Sequence, residues 1–206
     1  MHKELAHPLI HSLVNTLRDN TLDPFVFRHT IKEITKILLY EALNNQKLCS
    51  REIMTWNGVK TYSYVPEEDI VVVSVLRAGL SMHEAVIDTL KGAQSGFLGI
   101  KRDEVTHKSV LYYDRVGDCS GKKVILVDPM VATGGSLCDA IKVLKQKNAG
   151  EIQTLNILAS PEGVQRVLEE YPQIDMIIAK IDEKLNNDKF ILPGLGDAGD
   201  RAYNTL

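Results

Sequence analysis

Asp128 stands at the end of the apolar run Val124-Ile125-Leu126-Val127, with Pro129-Met130-Val131-Ala132-Thr133-Gly134-Gly135-Ser136 directly after it. A buried strand ending there delivers a carboxylate to the carboxyl edge of a sheet, where open α/β folds bind ligands. The small residues and two glycines let successive backbone N–H groups converge on an anion. Thr133 and Ser136 add hydroxyl donors, and the helix expected from Leu137 adds the partial positive charge of its N-terminus. A T-G-G-S turn alone is common at strand–helix junctions; the acid before it and the helix after it set this one apart. The Walker lysine of G-x-x-x-x-G-K-[ST] is missing, and so is G-x-G-x-x-G. A ribose 5-phosphate suits the pattern better, with Asp128 accepting from ribose hydroxyls and the loop holding the monophosphate.

Leu76-Arg77-Ala78-Gly79-Leu80 repeats the form at the end of another apolar run, and Arg77 can fork onto a pair of phosphate oxygens. Arg102 lies in a polar segment after Ile100, within reach of the same crevice. Taken singly, each arginine reads as a surface or ion-paired residue. Together, beside strand ends of one sheet, they favour a polyanion such as pyrophosphate. Near the C-terminus, Pro193-Gly194-Leu195-Gly196-Asp197-Ala198-Gly199-Asp200 is too rich in glycine for any regular element. Apolar residues flank it, so an ordered loop that approaches something closely is expected.

The elements that must position these residues follow from periodicity. Ile70 to Leu76 is a continuous β-branched run, as in a strand buried on both faces of a parallel sheet. A helix is predicted from about Leu80 to Leu90, and strands at Phe97 to Ile100, Val110 to Tyr113 and Val124 to Val127. Leu137, Ile141 and Leu144 share one helical face, with Gly150 expected to close that helix in a left-handed conformation. Strand 152–159, helix 161–170 and strand 174–179 complete the series. Upstream, Leu9, Leu13 and Leu17 follow Pro8 at near-helical spacing. A second helix opens at Asp23-Pro24, carries Phe27, Ile31, Ile34 and Leu38, and runs out at Asn44-Asn45. The alternation predicts an α/β fold: a largely parallel sheet core at about 70–180 flanked by helices, with accessory segments at 1–45 and 181–206, in one domain.

Composition removes competitors. The chain has 206 residues, 44% hydrophobic and 25% charged, enough to bury a core without disulfides or metal. A net charge of −3 gives no basic footprint for nucleic acid. The apolar runs are too short to span a bilayer, and the start of the chain lacks the apolar stretch of a signal peptide. Cys49, Cys119 and Cys138 show no C-x-x-C spacing and suit reduced thiols in a cytoplasmic protein. His7 and His11 lack a third ligand, so no protein-built metal site is expected.

The segments V-D-P-M-V-A-T-G-G-S, L-R-A-G-L and F-I-L-P-G-L-G-D-A-G-D-R resemble the signatures of the uracil phosphoribosyltransferase family. H-P-L (His7 to Leu9), L-R-D (Leu17 to Asp19) and Y-E-A (Tyr40 to Ala42) extend the resemblance over nearly the whole chain. P-G-L-G-D-A-G-D is its most specific part. The resemblance implies a phosphoribosyltransferase core with a C-terminal hood, and transfer of the phosphoribosyl group of phosphoribosyl pyrophosphate to uracil, giving UMP. It implies that Arg77 and Arg102 contact the pyrophosphate, that Asp128 through Ser136 hold ribose and 5-phosphate, and that Asp197 sits between base and ribose. Ile191, Gly196 and Ala198 would read uracil, chiefly with backbone groups. Mg²⁺ held mainly by substrate oxygens and water, GTP binding with allosteric control, and a homo-oligomer (dimer or tetramer) come with the same resemblance. Ser81, His83, Glu84, Ala85, Lys101 and Phe190 depart from the family's usual residues. Two rivals stand beside this expectation: a regulator that binds such ligands without turnover, and a purine or orotate phosphoribosyltransferase.

Overall fold

The structure is a computed structural model that describes residues 1–102 and 109–205, with the backbone alone at Arg102 and Ser109. The chain opens with β1 (His2–Glu4), α1 (Pro8–Leu17), α2 (Pro24–Ala42), β2 (Cys49–Thr55) and β3 (Gly58–Tyr64). Next come β4 (Ile70–Leu76), α3 (Leu80–Thr89), β5 (Gln94–Arg102), β6 (Ser109–Arg115), β7 (Lys123–Val127) and β8 (Met130–Val131). It ends with α4 (Gly135–Gln146), β9 (Ile152–Ala159), α5 (Pro161–Glu170), β10 (Asp175–Ile181), β11 (Lys184–Leu185), β12 (Ile191–Leu192) and α6 (Ala198–Tyr203). The start signals act as the chemistry dictates. Asp23 accepts from the Phe25 N–H and Ser160 from the Gly163 N–H, each followed by proline at the first helical position. His7 caps α1 through its Nδ1, which accepts from the Leu9 N–H at 3.2 Å.

The main sheet runs β1-β10-β9-β7-β4-β5-β6, with β8 also pairing β9. All its pairings are parallel except β5 with β6. Successive residues of β4 bury opposite faces. Ile70 and Val72 join a core with α1, α2, α3 and the C-terminal residues Leu195, Ala198 and Ala202. Val71, Val73 and Val75 join a second core with α4 and α5. A strand covered on both sides needs no polar residue, which is why β4 reads as an unbroken apolar run.

The chain leaves β4 through α3 towards β5, and leaves β7 through α4 towards β9, on the other side. These two neighbours therefore diverge at their carboxyl ends and open a crevice between them, the usual ligand position in open α/β sheets.

The α/β alternation and parallel core match the sequence expectation. Two details differ. Asn148, with φ of 56°, takes the left-handed position after α4, while the Ala149 N–H bonds back to the Leu144 carbonyl. Gly150 instead permits close packing, since a Cβ there would lie 2.7 Å from the Gly121 carbonyl oxygen. The second difference is the antiparallel hairpin of β2 and β3, which the sequence analysis leaves unassigned; most of its residues are exposed.

Gly79 sits at the mouth of the crevice, where a Cβ would lie 2.7 Å from the Val75 carbonyl oxygen and 2.8 Å from that of Val127. Both are backbone atoms and cannot swing aside. Gly79→Ala should cost about 1–3 kcal/mol in urea unfolding. An unchanged midpoint would mean that β4 and β7 separate freely there.

Candidate active site

A cavity of about 790 Å³ lies at the carboxyl ends of β4 and β7. Its walls come from three distant stretches of chain: Arg77 and Ala78 after β4, Asp128 and 130–137 after β7, and Asp197 with Gly199 in the C-terminal segment. Lys101 of β5 and Tyr112 of β6 close one side. The two strand-end turns and the glycine-dense tail therefore meet around one hollow.

The loop after Asp128 is held from behind by β9. The Pro129 carbonyl accepts from the N–H groups of Ile157 and Leu158 at 3.1 and 2.9 Å. Asn156 Nδ2 donates to the Asp128 carbonyl at 2.7 Å, and Thr154 Oγ1 donates to Asn156 Oδ1 at 2.8 Å. Ser160 Oγ donates to the Ala132 carbonyl at 2.6 Å while accepting from the Gly163 N–H. Thr154, Asn156 and Ser160 are all buried, so each hydrogen bond forms away from competing water. Gly134 then turns left-handed, with φ of 75°, and a Cβ there would lie 2.8 Å from the Gly163 carbonyl oxygen. These supports leave only a faint trace in the sequence: Gln153, Thr154 and Asn156 are polar residues inside the otherwise apolar β9, and Ser160 follows its last residue.

Asp128 itself is only 7% exposed. Burial pushes its carboxyl up to about 7, against the opposing effect of the Met130 N–H, 3.4 Å from Oδ1. A group so placed changes charge near neutrality and gains from any donor brought to it. Ribose-like hydroxyls are donors of that kind.

Arg77 faces the tail. Its Nη2 lies 2.9 Å from Asp200 Oδ1, and its Nη1 3.4 Å from Thr205 Oγ1. Thr205 donates to the same Asp200 oxygen at 2.6 Å; that bond chiefly, with the Arg77 guanidinium, holds the Asp200 carboxyl below its ordinary value. Asp197 caps α6, its Oδ1 accepting from the Asp200 N–H at 2.9 Å. Gly196, directly before Asp197, has φ of 80° and is exposed, whereas the Ile191 and Ala198 side chains are buried in the core. The side chain of Arg102 lies outside the described residues. Asp139 and Arg166 also line the cavity, and Arg166 Nη1 reaches the Thr133 carbonyl at 3.4 Å.

Of the unusual residues, Ser81 and His83 lie on the buried side of α3. His83 Nε2 is 3.0 Å from Ser95 Oγ, and its ring centroid is 4.5 Å from that of Phe97. Burial lowers the His83 pKa, against the opposing pull of Glu84, and so favours the neutral imidazole. Glu84 pairs with Lys32 at 2.5 Å on the helix surface. Lys101 alone of the six lines the cavity.

The mostly parallel sheet with a crevice at its carboxyl edge has the fold of the phosphoribosyltransferase class of α/β proteins. A solved purine phosphoribosyltransferase from Pyrococcus horikoshii shares the fold, with a TM-score of 0.50 at 20% identity, over 75% of this chain and 88% of that one. Within that class, the family model for uracil phosphoribosyltransferase matches residues 4–205, and the chain belongs to that family. Uracil phosphoribosyltransferase of Aquifex aeolicus is 42% identical over 97% of this chain and 96% of its own. That of Campylobacter fetus is 42% identical over 98% and 97%. A solved Aquifex aeolicus protein superposes with a TM-score of 0.95, at 42% identity and 98% coverage of both chains.

The Asp128 shift sets a pH dependence. Between about pH 4 and pH 7 the unfolded chain has released a proton that the native carboxyl keeps, so its contribution to stability falls as pH rises. Asp128→Asn removes that slope. The variant should gain most over the parent at about pH 8, by up to a few kcal/mol, and least near pH 4. A difference in Tm that does not change with pH would overturn the assignment.

Proposed function

We propose that this chain transfers the phosphoribosyl group of phosphoribosyl pyrophosphate to N1 of uracil, giving UMP and pyrophosphate in pyrimidine salvage. The observation that carries the reading is the meeting, in one cavity, of residues 130–136, Asp128 and the family's most specific segment, through Asp197 and Gly199. The carboxylate of Asp128 accepts from the ribose hydroxyls. Backbone amides of 129–136, with the hydroxyls of Thr133 and Ser136, hold the 5-phosphate at the start of α4. Arg77 and Arg102 receive the pyrophosphate. Uracil lies against the tail, where Ile191, Gly196 and Ala198 match its carbonyl and N–H groups through backbone atoms and Asp197 lies between base and ribose. Cytosine would leave such groups unpaired, and a site built to pair them rejects it.

The reaction breaks the bond from the ribose anomeric carbon to pyrophosphate oxygen and forms one to N1, whose proton is lost. Charge develops on the sugar and on the departing pyrophosphate, so the protein contributes position and electrostatic stabilisation. Arg77 must turn from Asp200 to meet the pyrophosphate. That pair is half-exposed, and such pairs are worth about 0–1 kcal/mol, so a polyanion displaces Asp200 readily.

Asp128, Asp139 and Asp197 give the cavity oxygen donors suited to a hard cation, but no group of three or more ligating side chains occurs among the described residues. These residues would suit Mg²⁺ bound mainly through substrate oxygens and water, and the ion would then supply positive charge against the departing pyrophosphate.

The reading includes a homo-oligomer and a cytoplasmic setting. The hairpin supports the first: Met54 and Trp56 are 77% and 96% exposed at its tip, and a lone two-stranded hairpin is marginal in water. No helix among the described residues is long and apolar enough to cross a membrane.

The direct test incubates the protein with labelled uracil, phosphoribosyl pyrophosphate and Mg²⁺, with hypoxanthine and orotate in parallel and GTP as a further arm. UMP should form, and neither other base should react. Ligand binding without turnover would sink the proposal. Arg102→Ala should lower kcat/KM on the order of 10²-fold or more, and near-parental turnover would remove that residue from the mechanism.

A further inference from the structure

The L-R-D segment at the end of α1 takes no part in the cavity, yet all three of its residues engage the C-terminal segment. Arg18 Nη1 and Nη2 donate to the two oxygens of Asp182 at 2.9 and 2.7 Å. The same Nη1 donates to the Gly194 carbonyl at 2.7 Å, and Asp182 Oδ2 accepts from the Gly194 N–H at 2.9 Å. One ion pair therefore holds both polar groups of a single residue. Arg201 works in the opposite direction: Nη1 donates to the carbonyls of Leu17 and of Leu195, Nη2 donates to that of Asp19, and the guanidinium stacks 4.4 Å over the Phe27 ring.

These grips surround the turn that precedes the cavity wall. Gly194 and Gly196 have φ of 65° and 80°. The carbonyls of Gly194 and Leu195 are taken by arginines, whereas the amides of Gly196 and Ala198 donate to no partner among the described residues. A wall that recognises its ligand with backbone atoms cannot be tuned through its own side chains. Its position has to be set by whatever holds the peptide planes. The Asp182 side chain is 2% exposed and that of Arg18 21%, so this pair is shielded from water in a way that Arg77 with Asp200 is not.

We infer that Arg18 and Asp182 are positioning residues for base recognition: by fixing Gly194 at both ends, they set where the amides of Gly196 and Ala198 meet the base. The inference rests on the proposed reaction with uracil. It separates the two halves of the site, since the 129–136 loop is held by β9 and owes nothing to this pair.

The test compares Arg18→Lys and Asp182→Asn with the parent in steady-state kinetics. Lysine keeps the charge but cannot fork onto both Asp182 and Gly194; asparagine keeps the shape but loses an acceptor. Leu144→Ala, in the core at the far end of α4, serves as a control for lost stability. Each protein is assayed at the same interval below its own Tm. Both test variants should raise KM for uracil about 10-fold or more while KM for phosphoribosyl pyrophosphate stays within about twofold. Equal rises in both constants, the pattern of the control, or no change in either would overturn the inference. Failure of both variants to fold would also overturn it, since the pair would then serve the fold alone. A parent enzyme that makes no UMP would instead refute the reaction on which the inference rests.

Discussion

Neighbouring parallel strands that send their chains to opposite sides cannot fill the space beyond their own ends. Between β4 and β7 that space is the cavity, and the rest of the molecule is arranged around it. The two turns that leave these strands must be narrow, which is why Gly79 and Gly134 stand where a methyl group would meet backbone oxygen. The strand ends also expose backbone carbonyls and a carboxylate with no continuing ladder. The carbonyls need partners from elsewhere, and β9 provides them through Asn156, which Thr154 orients, and the amides of Ile157 and Leu158.

The cavity carries two different electrostatic settings. Asp128 lies deep, where loss of water dominates and drives its proton affinity up to about 7. Arg77, Asp200 and Thr205 lie at the rim, half in solvent, where charges exchange partners at little cost. Such a division suits a ligand with a neutral, hydroxyl-rich centre and a highly charged end.

Much of this was legible in residue order because burial on both faces leaves a plain signature. The β-branched run of β4, the short apolar run of β7 and the small-residue loop after Asp128 could hardly be read otherwise. The tail was legible as ordered, with Leu195, Ala198 and Ala202 in the core, but its glycines hid a helix: Ala198-Gly199-Asp200, read as part of a loop, is the first turn of α6. What was missed has equally physical causes. The β2–β3 hairpin has no buried face, so Ile53, Lys60 and Thr61 show no alternation tied to a core, and only Asn57-Gly58 marked its turn. β1 is three polar-leaning residues that become a strand because β10 offers an open edge. Asn148 displaced Gly150 at the end of α4 because asparagine also tolerates the left-handed region. The support from Asn156 was signalled only by a polar residue inside an apolar strand, because the carbonyl it faces is set by the pairing of β9 with β7.

The contacts between the first helix and the final turn join residues 164 and more positions apart in the chain. Closing so long a loop costs more chain entropy than any contact within one βα unit. The turn from Gly194 to Gly196 is therefore seated by a remote part of the chain, and a change that loosened Arg18 or Arg201 would free it while the β9-held loop stayed in place.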